Sequence, residues 1–270
     1  MDAPTDHDRP LREVAFRGGG FRHRPIRALS IGTFLALLFI WETGSRTGFI
    51  SNLVLPAPSE VGTAFYDLWK SGNLWDHLSA SLARLGAGWV LGTSLGIATG
   101  FAIGLFSVMR ASLAPLVAAI FPIPKIALLP LFIIWFGIGE GSKVGLILFG
   151  TFFPTVIATY GGIDNVDRTL IRMGQSFGLN RWEIARKILF PGALPAILSG
   201  MRITAAIGII LIVAAELIAA EKGIGAFIQM AGSLFATDQL VAGVLVLSVL
   251  GLTVNALIGL AEKHLLRWRA

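Results

Sequence analysis

DNVDRTLIRMGQSFGLNRWEIARKILFPGALP, residues 164–195, is the one long polar interval in the second half of an otherwise apolar chain. Its pattern predicts a helix, a glycine elbow, a second helix and a proline stop. Asp164 and Asp167 put acidic start signals near a helix N-terminus, where negative charge complements the helix dipole. Gly178 stands where a C-cap glycine belongs, because glycine takes the left-handed conformation without a Cβ clash. Asn180 reads as a new N-cap, with Glu183 three residues on as its capping-box partner. Pro191 and Pro195 bracket the start of the next apolar segment. The outer face is basic: Arg168, Arg172, Arg181, Arg186 and Lys187. A capped elbow of this kind between two membrane spans is suited to being held by something outside the membrane.

Composition sets the surroundings. The chain has 54% hydrophobic and 14% charged residues, where a soluble domain carries about 25% charged. With its long apolar runs, this predicts an all-α membrane protein surrounded by lipid. There is no cysteine, which excludes a disulfide framework, a thiol nucleophile and a thiolate metal site. The net charge of +6 would suit nucleic acid, but the basic residues flank apolar spans instead of forming one soluble patch. No nucleic-acid partner is expected.

Outward from the elbow, six spans are predicted at 26–43, 78–108, 112–136, 142–160, 196–219 and 240–260. Residues 1–25 read as a basic, disordered tail, and residues 26–270 as the transmembrane domain with the elbow at 164–195. LPAPSEV (55–61) reads as a stiff extended lead into an interfacial amphipathic helix over 61–69. Gly88, Gly92, Gly96, Gly100 and Gly104 form a small-residue stripe, read as tight packing inside one bundle. Pro122, Pro124 and Pro130 interrupt the third span. Of the 22 basic residues, fifteen fall in the tails, at Arg110 and in the elbow if both termini are inside. Four fall on the opposite side and three in or beside spans. This bias predicts cytoplasmic termini and a cytoplasmic elbow.

The chemistry-bearing motifs are few. Gly92-Thr93-Ser94-Leu95-Gly96 matches a nucleophile-elbow pattern but falls mid-helix, without the strand–turn–helix context. No nucleotide-binding loop occurs, since Lys125, Lys143, Lys187 and Lys222 all lack the preceding glycine. The four histidines are scattered without metal-ligand spacing. The expectation is a chain with no catalytic residue, cofactor or metal. Four ionisable residues lie in or near spans. Arg84 and Arg202 are close enough to span ends to snorkel, while Lys125 and Glu216 are candidates for lining a pathway. A lysine beside a broken helix would suit an anionic solute.

The elbow resembles the EAA loop of ABC importer permeases, E-A-A-x3-G-x9-I-x-L-P. Gly178, Ile188 and Pro191 fall on the glycine, isoleucine and proline positions, and Phe190 stands at the leucine. Arg172, Met173 and Gly174 stand where E-A-A is expected, so that part is absent. LPAPSEV (55–61), SLARLGAGWVLGTSLGIATG (81–100), PIPKIALLPLFIIWFGIG (122–139), LFPGALPAILSGMRI (189–203), AAELIAAEKGIG (214–225) and AEKHLLRWR (261–269) look like the nitrate/sulfonate/taurine group of these permeases. The resemblance implies the type I, MetI-like permease fold in a cell inner membrane, and no enzyme activity in this chain. It also implies a second permease copy, an extracytoplasmic solute-binding protein, and a cytoplasmic ATPase dimer holding the ATP and Mg. The ATPase would dock on Arg172, Gly178, Asn180, Arg181, Glu183, Arg186, Lys187, Ile188 and Pro191. The solute implied is a small anion such as an aliphatic sulfonate, taurine or nitrate.

Two other classes fit less well. A gradient-driven secondary transporter would favour inverted repeats and paired broken helices, and no internal repeat is evident. An intramembrane enzyme needs convergent acid, base or nucleophile groups, which the spans lack.

Overall fold

A computed structural model describes residues 27–267. The predicted tail, 1–25, lies outside the described residues. The rest is helical: α1 (Arg27–Arg46), α2 (Pro58–Lys70), α3 (Asn73–Leu105), α4 (Ser107–Ile120), α5 (Leu129–Phe136), α6 (Glu140–Asp164), α7 (Arg168–Ser176), α8 (Arg181–Ile184), α9 (Phe190–Ala219), α10 (Ile224–Ser233) and α11 (Thr237–Leu265). Four helical units among the described residues are long and apolar enough to cross a membrane: α3, α6, α11 and the run Arg181–Ala219. The expected third span is a bent pair, α4 followed by 125–136 at 90°. The expected first span coincides with α1, which is not among those four. Its Phe34, Leu37 and Phe39 are exposed. It is tied to α2 through Glu42, whose carboxylate accepts from the Ser59 N–H at 3.1 Å.

The glycine stripe decides how the bundle core packs. It faces α6, rung by rung. A Cβ built on Gly88 would lie 2.6 Å from the Ile147 Cβ, one on Gly96 2.7 Å from the Thr155 Cβ, and one on Gly100 2.5 Å from the Thr159 Cβ. The matching order of the rungs makes α3 and α6 parallel neighbours. Thr151, Thr155 and Thr159 each donate their hydroxyl to the carbonyl four residues back, at 2.8–2.9 Å. Each hydroxyl is thereby satisfied without water. Replacing Gly96 by alanine is expected to destabilise the fold by about 1–3 kcal/mol through overpacking. Gly86→Ala, whose Cβ meets nothing within 4 Å, is the neutral control. Thermal unfolding of both variants in detergent measures the difference.

The proline stop expected after the elbow does not stop the helix. The chain runs without interruption from Arg181 to Ala219, over 39 residues. A π turn at Ala185–Leu189, with the Phe190 N–H bonded to the Ala185 carbonyl, directly precedes Pro191. A widened turn relieves the crowding that a proline ring brings, so Pro191 opens the next helical stretch instead of ending one. In the third span the prolines do break the helix. Pro124 precedes a 3-10 turn at Lys125–Leu128, and Pro130 sits in the first turn of α5.

The elbow and Arg84 stand at opposite ends of the bundle. α3 reaches the elbow at its C-terminus, where Phe106 meets Trp182 edge-on at 6.4 Å. Arg84 lies ~30 Å back along the same helix at 1.5 Å per residue.

Candidate functional site

The elbow is built from backbone caps. Asp167 begins α7 by accepting from the Thr169 N–H at 2.8 Å. That bond holds the Asp167 carboxyl below the usual carboxylate range. Asp164 takes a different place from the one expected: it ends α6, and its carboxylate binds Arg110 on α4 through two contacts at 2.5 and 3.1 Å. Gly178 closes α7 at φ +77. The Leu179 N–H reaches the Gly174 carbonyl at 3.0 Å and the Gly178 N–H the Gln175 carbonyl at 2.9 Å. This is the paired Schellman closure, in which a left-handed residue is required and glycine alone adopts it freely.

Asn180 then opens the next helix. Its Oδ1 accepts from the Trp182 and Glu183 N–H groups at 3.0 and 2.9 Å, and Glu183 accepts in return from the Asn180 N–H at 3.0 Å. Lys187 donates to Glu183 at 3.0 Å. The Asn180 N–H, followed by Lys187, holds the Glu183 carboxyl below its ordinary range. A depressed folded-state value means the contribution is full above the usual carboxylate range and is lost as pH falls through the folded value. Asn180→Ala is expected to lower stability by about 1 kcal/mol. Glu183→Gln is expected to lower the melting temperature at neutral pH, with the gap to wild type closing in acid. Melting curves at a series of pH values test both.

The inner face of the elbow joins it to the bundle. Ile184 and Leu189 are buried with Ile163, Val166, Ala193 and Ile197, and Ile188 packs beside them. Gly174 is buried beneath Ile188: a Cβ there would lie 2.7 Å from the Ile188 Cδ1. The outer face carries exposed Arg172, Arg181, Arg186 and Lys187. It also carries apolar side chains that the basic pattern alone obscured. Phe177 is 80% and Trp182 71% exposed, with Leu170 and Met173 beside them. The signal lay in apolar residues at 170, 173 and 177, a stripe about a quarter-turn round the helix from Ile171 and Gly174. A cavity of about 380 Å³ opens between this elbow and the end of α3, lined by Phe106, Ile171, Gln175, Arg181 and Trp182.

The two candidate pathway residues lie apart from each other. Lys125 sits at the bend between α4 and α5. Its ammonium donates to the Phe121 carbonyl and, at 3.3 Å, to the Ile120 carbonyl. It also stands 5.3 and 5.7 Å from the centres of the Phe121 and Phe153 rings. These partners cap a broken helix and stabilise a cation, and none is a carboxylate.

Glu216 is at the far end of α9, 1% exposed. Ser81 Oγ lies 2.8 and 2.9 Å from its two oxygens, the Gly225 N–H donates at 3.0 Å, and Arg84 Nη1 lies at 2.7 Å. Gly223, at φ +131, has no room for a Cβ against this carboxylate. Arg84 does not snorkel. It is buried, and it also grips Glu140 at 2.5 and 2.7 Å and the Lys222 carbonyl at 2.5 Å. Arg202, the other residue read as snorkelling, is half-exposed and paired with Glu262 at 2.5 Å. The buried network joins α3, α6, α9 and the lead into α10, and its members lie too far apart in sequence for any local pattern to connect them.

Comparison with known proteins agrees with this geometry. Residues 92–268 match the family described as the binding-protein-dependent transport system inner membrane component. The chain is 38% identical to the taurine transport system permease protein TauC of Escherichia coli (strain K12), over 89% of each chain. It is 34% identical to the putative aliphatic sulfonates transport permease protein SsuC of Bacillus subtilis (strain 168), over 86% of this chain and 84% of that one. The fold matches an inward-facing MetNI methionine ABC transporter structure with a TM-score of 0.58, at 20% identity, covering 71% of this chain and 93% of that chain. An all-helical bundle, a capped elbow between two membrane helices and a family match across most of the chain converge: the protein belongs to the binding-protein-dependent transport system inner membrane components, the permease subunits of ABC importers.

Proposed function

We propose that this chain forms the translocation pathway for a small sulfonate such as taurine, and that the 164–195 elbow couples it to a separate cytoplasmic ATPase. The observation that carries the coupling is the elbow's construction. Its two helices are locked by a Schellman closure and a capping box, and its second helix continues unbroken into α9. Force applied to the exposed face of such a unit is carried into the membrane as a rigid displacement. Phe177 and Trp182 supply apolar anchors, and the surrounding basic residues complement an acidic partner surface.

The full assembly proposed is two permease copies, an ATPase dimer holding ATP and Mg, and an extracytoplasmic binding protein. The termini and the elbow lie on the cytoplasmic side, as the basic residues favour. The names of the relatives support a sulfonate solute. Lys125, a cation at the bend of a broken helix, is proposed to face the pathway. Glu216 is proposed to act on the pathway through Arg84, since its own oxygens are already engaged.

The test is uptake of radiolabelled taurine into proteoliposomes holding the complex, with the binding protein outside and ATP inside. Uptake is expected to require ATP and to vanish when residues 178–187 are deleted. Uptake that continues without ATP and collapses with the proton gradient would instead establish a secondary transporter.

A further inference from the structure

The Arg84 network is unevenly built, and the unevenness points to a ligand. Arg84 holds two carboxylates. Glu216 has no exposed side-chain surface, and Ser81 and Gly225 hold it as well. Glu140 has a side chain 65% exposed, and Arg84 is its side-chain partner among the described residues, gripped through both oxygens. One carboxylate is built in. The other is held by a single fork and open to exchange. Glu140 is also the first residue of α6. The backbone just before it is held by Lys143, whose ammonium donates to the Ile138 and Gly139 carbonyls at 3.0 and 3.1 Å, while the Glu140 side chain has only Arg84 among the described residues.

Beside this pair lies a cavity of about 410 Å³ whose lining includes Arg84, Ile138, Glu140, Lys143, Glu221 and Lys222. That volume accommodates a small organic anion. With Glu140 turned outward, Arg84, Lys143 and Lys222 would line the cavity with Glu221 as the one remaining lining carboxylate, while Glu216 stays buried behind Arg84 and Lys143 keeps its bonds to the Ile138 and Gly139 carbonyls. The guanidinium fork suits any planar pair of anionic oxygens, which a sulfonate presents as well as a carboxylate does.

We propose that Arg84 is an oxyanion-recognition site at the end of the bundle away from the elbow, where the Glu140 carboxylate holds the place of the sulfonate group of the solute. This rests on the sulfonate-importer reading above. No bond is made or broken: the sulfonate takes the two N–H donors of Arg84, and Glu140 moves into solvent. The exchange releases the start of α6 from α3, so arrival of the solute and loosening of this end of the bundle are one event.

The native chain has no cysteine, so a single Phe136→Cys, exposed, outside the cavity lining and against Gly141 at the start of α6, carries a spin label without further changes. The full chain is assembled with its ATPase in nanodiscs and titrated with methanesulfonate at constant ionic strength, with dimethyl sulfone as the uncharged control. Methanesulfonate is expected to raise label mobility in a saturable way, and dimethyl sulfone to do nothing. Glu140→Gln removes the competing charge and is expected to lower the half-saturating concentration about tenfold, since one charge-assisted hydrogen bond is worth that much. Arg84→Lys retains the charge but loses the fork, and is expected to abolish saturation.

An unchanged midpoint in Glu140→Gln, or equal responses to methanesulfonate and dimethyl sulfone, overturns the proposal. If Arg84→Lys fails to fold, the Glu140→Gln midpoint still decides. Sulfate or acetate acting with methanesulfonate excluded would overturn the sulfonate assignment. ATP-driven taurine uptake with a silent label sinks this site and leaves the transport reading intact. A saturable methanesulfonate response without ATP-driven uptake supports the site and sinks that reading.

Discussion

Arg84→Met is expected to destabilise the protein by about 3–5 kcal/mol, the cost of leaving a buried charge without its partner. Glu216 is the charge left behind. It lies in the interior with Ser81 and the Gly225 N–H as its remaining donors, and two neutral donors do not neutralise a carboxylate in a low-dielectric site. The same change frees Glu140, which is mostly in solvent and loses little. Glu140→Gln alone should therefore fall within about 1 kcal/mol of wild type. Adding Glu216→Gln to Arg84→Met removes the stranded charge, and the double variant is expected to recover much of the loss. Detergent-resistant unfolding, followed by tryptophan fluorescence, measures all four proteins. If Arg84→Met and Glu140→Gln prove equally mild, the network is not a structural keystone.

The elbow yields the second large effect. Phe177→Ser and Trp182→Ser together are expected to abolish binding of the ATPase while leaving the permease folded. Both side chains are largely exposed, so the fold of the isolated chain loses little when they shrink. Buried aromatic anchors at an interface are each worth about 2 kcal/mol or more, roughly a 30-fold change in affinity apiece. Arg172→Ala and Arg186→Ala, on the same face, should change affinity only a few-fold and mainly at low salt, because rim charges stay solvated. Binding of labelled ATPase to nanodisc-held permease, read against salt, separates the two classes. Loss of binding in the arginine variants alone would make the docking electrostatic.

How legible these features were depended on the range of the forces behind them. Gly178, Asn180 and Glu183 could be read in advance because a cap is settled within about five residues by backbone hydrogen bonds. The stripe from Gly88 to Gly104 announced a close helix approach, but nothing local identified Thr151, Thr155 and Thr159 as the other side. Arg84 looked like a residue that reaches the interface, because its distance from a span end is local and its partners are not. The proline stop failed for a related reason. Pro191 is unfavourable only against regular α-helical spacing, and the π turn before it changes that spacing.

From the sequence alone came the membrane setting, the helical class, the elbow with its caps and the family pattern, since composition, short-range hydrogen bonding and motif spacing are carried by neighbours along the chain. Tertiary structure alone brought Arg84 between Glu140 and Glu216, turned Phe177 and Trp182 outward and set α6 against the glycines of α3. Those arrangements join residues far apart in sequence. They exist because burying a charge, or packing one backbone on another, is favourable only when the matching partner is delivered by the fold.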